Sequence, residues 1–175
     1  KAAPAAAAAR AATPGADVFD RLVHGTGAMQ DVIRRARQLS SARTAVLLQG
    51  ETGAGKEEFA RGLHGERRGA YVAVNCGGLA RDLLASELFG HAEGAFTGAR
   101  KGGMAGKIEA AQGGTLFLDE IGEMPLDMQP MLLRVLEQGE VYRLGENTPR
   151  KVDFRLVAAT HRNLPHMVAA GRFRE

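Results

Sequence analysis

One heptapeptide, Gly50-Glu51-Thr52-Gly53-Ala54-Gly55-Lys56, constrains the fold more than any other feature of the chain. It fits the spacing G-x-x-x-x-G-K, and its neighbours supply the context. Residues 44–49 (TAVLLQ) read as a short strand buried on both faces, and a helix is expected over 56–64. A strand that ends in a glycine-rich turn opening a helix lets backbone N–H groups converge on phosphate oxygens. The helix N-terminus adds partial positive charge, and Lys56 sets an ammonium against the β and γ phosphates. The plainer alternative is a glycine-rich turn that caps a helix. Glu57 follows the lysine, where such loops usually carry Ser or Thr for magnesium. A carboxylate there must point away from phosphate or meet the metal through water.

Downstream, strands are expected over 71–75, 115–119 and 152–159, and helices over 79–89, 126–138 and 164–170. Upstream, residues 28–39 place Met29, Val32, Ile33, Ala36 and Leu39 on one helical face. Alternating strand and helix predicts an α/β fold, a parallel sheet sandwiched by helices, with ligands at the carboxyl ends of the strands. Met124, Met128 and Met131 suit core or helix-face packing, and Cys76 a small buried hydrophobe. Residues 1–17 (KAAPAAAAARAATPGAD) are nearly all Ala, interrupted by Pro4 and Pro14. They read as an Ala/Pro-rich linker, with a short isolated helix as the alternative, and imply something upstream. The domain proper is expected over 18–175.

The strand at 115–119 is preceded by Gly113-Gly114 and ends in Asp119-Glu120. Beside a P-loop, Asp119 would approach the metal through a water, and Glu120 would orient or deprotonate the water that attacks the γ phosphate. A solvated strand end or a helix N-cap is the alternative.

Composition excludes several classes. A single cysteine in 175 residues permits neither an internal disulfide framework nor a cysteine zinc cluster, and suits a reducing cytoplasm. No apolar run reaches the ~18 residues of a membrane span. The net charge of +3 is scattered rather than gathered on one face, so it does not mark a DNA-binding surface. Glycine, at 23 residues, is enriched. Five of them fall between Gly94 and Gly106, around Gly94-Ala95-Phe96-Thr97-Gly98-Ala99. From composition this is a flexible insertion, and Phe96 either folds back into the core or is reserved for a partner.

Taken together, GETGAGKE (50–57), SELFGHAEGAFTGA (86–99) and GGTLFLDEIGEMPLDMQPMLLRVLEQGE (113–140) resemble the central AAA+ ATPase domain of sigma-54-dependent transcription activators, the bacterial enhancer-binding proteins. The resemblance runs from Leu22 to the last residue. It implies a cytoplasmic P-loop NTPase of the AAA+ class, ending here before its helical lid. Such domains form a homo-oligomer, typically a hexamer with dimers as precursor. They hydrolyse ATP with Mg2+ at subunit interfaces, and their GAFTGA loops remodel the closed complex of sigma-54 RNA polymerase holoenzyme. DNA contact belongs to a domain absent from this chain, and no membrane is involved.

Residue by residue, the resemblance makes 50–57 the P-loop and Asp119 and Glu120 the Walker B pair, with Asp119 toward the metal. It extends the nucleotide-binding stretch over Ala111, Gln112, Gly113, Gly114, Thr115, Leu116, Phe117 and Leu118. It makes Asn75 the amide that restrains the catalytic glutamate, a turn-capping Asn being the alternative. Phe96 and Thr97, within 94–99, become the sigma-54 contact, and 143–150 a second pore-side loop. His161, where the pattern often has Asn, becomes a sensor, or else an ordinary strand-end His. Arg174 becomes an arginine finger for a neighbouring protomer, or else a surface arginine. Two other functions fit less of the sequence: a nucleotide-gated binding module without turnover, and another P-loop NTPase.

Overall fold

The computed structural model of the protein describes residues 18–22, 27–97, 99 and 101–174; the expected linker at 1–17 and Gly98 lie outside the described residues. In chain order the elements are a 3-10 turn Val18–Arg21, α1 Gly27–Ser40, β1 Val46–Gln49, α2 Lys56–His64, β2 Tyr71–Asn75, α3 Arg81–Phe89, β3 Gly90–His91, β4 Met104–Ala105, α4 Lys107–Ala110, β5 Thr115–Asp119, a 3-10 turn Ile121–Glu123, α5 Gln129–Gln138, β6 Glu140–Val141, β7 Arg150–Lys151, β8 Arg155–Thr160 and α6 Leu164–Ala169. The four strands expected from sequence form one parallel sheet in the order β1-β8-β5-β2.

Period-two alternation divides the side chains of this sheet between two cores. Phe117, Val157 and Ala159, with Val46, Leu48 and Tyr71, face Phe19, Ile33, Ala36, Phe59, Ala60 and Leu63 of the first turn, α1 and α2. Leu116, Leu118, Val74 and Ala158 face α3, α4 and α5 through Leu84, Leu88, Ile108, Met128, Leu132 and Val135. The helices thus sandwich the sheet, as a doubly covered parallel sheet requires. Each fully buried large side chain is worth ~1.5–3 kcal/mol. Leu47, on the edge strand β1, is 50% exposed.

Two packing devices lie outside the hydrophobic pattern. Phe19 seats its buried ring against Gly62 of α2, where an added Cβ would stand 2.6 Å from the ring. Arg155 is buried and, among the described residues, meets no carboxylate; its guanidinium donates to the carbonyls of Leu39, Ser40, Thr44 and Leu63. Arg67 donates to Ser40, Ala42, Leu63 and His64 in the same place. The Leu39, Ser40, Leu63 and His64 carbonyls end α1 and α2, where free acceptors and the negative dipole end favour a cation, and those of Ala42 and Thr44 lie in the link from α1 to β1. Burial and the neighbouring Arg67 lower the pKa of Arg155 from its ordinary value.

Several boundaries differ from expectation. Helix α5 begins at Gln129 rather than 126, with Pro130 in its first turn, and α3 begins at Arg81 rather than 79. Val152 does not join β8, because the β7 strand just before it pairs back onto β6 as a separate hairpin. Met124 and Met128 are core, whereas Met131 is exposed, as are Val32 and Leu39 of the expected apolar face of α1. The glycine-rich insertion is anchored: β3 and β4 pair antiparallel at its base.

Candidate active site

Strand register aligns the functional ends. Asn75 pairs with Asp119, Leu118 with Ala158, and Gln49 with Thr160, so the carboxyl ends of all four strands share one rim. The P-loop leaves β1 at this rim, and its Gly50 N–H donates to the Thr160 carbonyl of β8. Gly53 and Gly55 have φ of +81° and +78°, and nothing lies within 4 Å of a Cβ built on either. Dihedral demand rather than crowding requires glycine there. Gly55 caps α2 without a side-chain hydrogen bond, which leaves first-turn N–H groups directed at the loop.

Lys56 curls over this loop. Its Nζ donates to the carbonyls of Gly50 and Glu51 at 3.0 Å each, and lies 3.9 Å from Glu120 Oε1. Glu57 turns the other way, accepting from Arg61 at 2.7 Å along α2, so its charge is kept off the phosphate side.

Glu120 follows β5 with φ 51° and ψ 48°, and among the described residues it is the one non-glycine with positive φ. A left-handed glutamate costs about 1 kcal/mol or more and is retained only where the surroundings impose it. Here the Glu120 N–H donates to Asp119 Oδ1 at 2.9 Å, and its carbonyl accepts from Glu123 N at 2.8 Å. The carboxylate that results is held between Lys56 and His161, whose Nδ1 lies 2.7 Å from Oε2.

The other expected residues divide. Asp119 reaches the rim. Asn75 is adjacent in register, but its Oδ1 accepts from the Gly77 N–H at 2.9 Å, the turn-capping arrangement. Ala111, Gln112, Gly113, Gly114, Thr115, Leu116, Phe117 and Leu118 do not line the site. Strand polarity puts Thr115 roughly 13 Å from the rim at about 3.3 Å per residue. Gly114 packs so close to Ala70 that a Cβ would meet its carbonyl at 2.1 Å, and residues 115–118 are buried in the sheet. Arg174 donates its backbone N–H to Gln129 Oε1 at 2.8 Å, and its side chain lines a surface groove with Pro130, Leu133, Arg134 and Glu137. Burial, with Asp119 and Glu120 nearby, pushes the Cys76 thiol up to about 12, so it stays protonated at neutral pH.

The insertion forms a second unit. Phe96 is 46% exposed, and its ring meets the buried His91 edge-on at 5.1 Å. Thr97 is exposed beside it, and Ala99 N–H closes the turn onto the Phe96 carbonyl at 3.0 Å. Leu144 joins this loop to the 143–150 segment: it donates to Gly90 at 3.0 Å and accepts from Ala92 at 2.9 Å. Arg143 grips Glu109 through two bonds of 2.7 and 2.9 Å, holding that carboxyl below its ordinary pKa.

Parallel strands, a glycine-rich loop with its lysine, and an acidic pair at the next strand but one define a P-loop NTPase. Comparison with known proteins narrows the class. Residues 22–175 match the Sigma-54 interaction domain. The DNA-binding transcriptional regulator NtrC of Escherichia coli (strain K12) is 52% identical over 151 residues, covering 85% of this chain and 32% of NtrC. A signal-transduction and transcriptional-control protein of Clostridium beijerinckii is 49% identical over 160 residues, covering 90% of this chain and 25% of that protein. The crystal structure of NtrX from Brucella abortus in complex with ADP superposes with a TM-score of 0.79 at 33% identity, over 90% of this chain and 34% of NtrX. The chain belongs to the sigma-54 interaction domain family of AAA+ ATPases, and spans about a third or less of these relatives.

Proposed function

We propose that this domain binds ATP with Mg2+ and hydrolyses it to drive transcription activation at sigma-54 promoters, in the cytoplasm. The observation that carries the reading is the meeting of Lys56 and Glu120 at 3.9 Å beside a glycine-rich loop that opens α2. The loop N–H groups and Lys56 would bind the phosphates, and Glu120 would take the proton of the water that attacks the γ phosphorus as the β–γ bridging bond breaks. Mg2+ would neutralise charge on the β and γ oxygens. Among the described residues no three His, Cys, Asp or Glu side chains are grouped to hold a metal. That suits an ion carried mainly by phosphates and water, with Asp119 as an outer carboxylate.

The NtrX fold is solved with both ADP and ATP, which supports nucleotide as the ligand. Phe96 and Thr97 would contact sigma-54, since a half-exposed ring on an anchored loop is suited to a protein partner. Arg174 on the α5 surface would complete a neighbour's site in a hexamer assembled from dimers, and DNA would be held by another part of the protein. The test is the Glu120→Gln variant of the full-length protein, which should bind ATP normally and release no phosphate. Ordinary turnover in that variant would falsify the assignment.

A further inference from the structure

We propose that Gln129 is a positioning residue for Arg174: its buried amide ties the arginine that a protomer would offer to its neighbour to the turn that follows the protomer's own Glu120. Gln129 is the first residue of α5 and only 7% exposed, yet both ends of its amide are engaged. Nε2 donates to the Met124 carbonyl at 3.0 Å, and Oε1 accepts from the Arg174 N–H at 2.8 Å. A carbonyl only accepts and a backbone N–H only donates, so these partners fix which way the amide faces. On the buried face of α5 Gln129 stands in line with Leu132 and Val135, where the helical pattern calls for an apolar side chain.

The two partners belong to different segments. Met124 closes the 3-10 turn after β5: its N–H donates to the Ile121 carbonyl at 3.1 Å, and the Glu123 N–H donates to the Glu120 carbonyl at 2.8 Å. The turn that presents Met124 is thus the one that holds the left-handed backbone of Glu120. Arg174 ends a segment pinned to α6. Arg172 and Phe173 donate to the Met167 carbonyl at 2.8 and 3.3 Å, and Phe173 packs on the core beneath α3, α4 and α5. These anchors stop one residue short of Arg174, and Gln129 supplies the next. The Arg174 side chain then runs along the outer face of α5, beside Pro130, Leu133, Arg134 and Glu137. Losing the amide would leave a carbonyl and an N–H unpaired and free the arginine's backbone.

The role of Gln129 rests on the proposed function, with Arg174 acting in a neighbour's site and Glu120 in its own. Two full-length variants are therefore co-assembled: Glu120→Gln, which supplies Arg174 without a working base, and Arg174→Ala, which supplies the base without the arginine. Neither should hydrolyse ATP appreciably alone, and the mixture should recover turnover where the two meet. Gln129→Met keeps the side-chain length and removes both bonds. Added to the Glu120→Gln partner, it should lower the recovered rate about tenfold or more, as misplacement of a group acting in the transition state does. Added to the Arg174→Ala partner, it should lower that rate no more than about twofold. Misfolding or weakened assembly would act from either partner, so the asymmetry is what positioning alone produces. Equal losses from the two placements, a greater loss from the Arg174→Ala placement, or no loss from either would overturn the proposal. Turnover by the separate variants, or none in the mixture with Gln129 intact, would instead remove the roles of Glu120 or Arg174, and the proposal with them.

Discussion

Lys56 and Glu120 face each other at 3.9 Å although they follow different strands, β1 and β5, that are not neighbours in the sheet. Strand β8 lies between them, so the turn after β8 enters the site from the middle and brings His161 against Glu120.

Lys56→Ala removes the ammonium that this arrangement directs over the loop. ATP affinity, read by titration of a fluorescent analogue, should fall at least about tenfold, the loss of one charge-assisted contact. Affinity equal to wild type would show that the lysine does not meet phosphate.

Glu120→Gly relaxes the left-handed backbone at φ 51° while deleting the base. Stability in urea should hold or rise by about 1 kcal/mol as turnover disappears. Destabilisation beyond about 1 kcal/mol would mean that the carboxylate's partners outweigh its strain.

Gly62→Ala drives a methyl into the Phe19 ring. The overpacking should lower stability by about 1–3 kcal/mol, seen as an earlier denaturant midpoint at the same slope. A second substitution, Phe19→Leu, should restore part of the loss.

Glu109→Gln weakens the paired bonds to Arg143. Because Arg143 holds the Glu109 carboxyl below its ordinary value of 4.5, the pair stabilises the fold above that pH. The contribution disappears as pH falls through the lowered value, since there the native state must also take up the proton. Wild type and variant should differ in urea midpoint at pH 7 and converge in acid. A gap that persisted in strong acid would assign the effect to packing.

Thr97→Ala should keep ATPase activity and lose open-complex formation on a sigma-54 promoter. Normal promoter opening would remove this loop from the partner contact.

Much of this was legible in sequence because its signals are local. The P-loop spacing, the apolar runs of β2 and β5 and the start of α2 at Lys56 each depend on neighbouring residues, and they match the structure. The contact of His161 with Glu120 is not local. It depends on β8 inserting between β1 and β5, and on Gln49, Gly122 and Glu123, distant in sequence, bracing the Thr160–Arg162 turn. The carbonyl-bound Arg155 left no trace either, since a lone arginine at a strand start reads as solvated. For residues 111–118, which the family resemblance adds to the nucleotide-binding stretch, sequence does not show strand direction: Thr115 to Leu118 run through the buried sheet toward the rim that Asp119 reaches.

The register that pairs Asn75 with Asp119 and Leu118 with Ala158 gives the buried sheet a metrological duty. A slip of one residue in β5 would carry Glu120 about 3.3 Å along the strand and turn its side chain to the opposite face. Leu116, Phe117 and Leu118, each wedged into one of the two cores, forbid that slip. The accuracy with which Glu120 meets Lys56 is therefore calibrated in the dry interior, by residues that never touch the reacting groups.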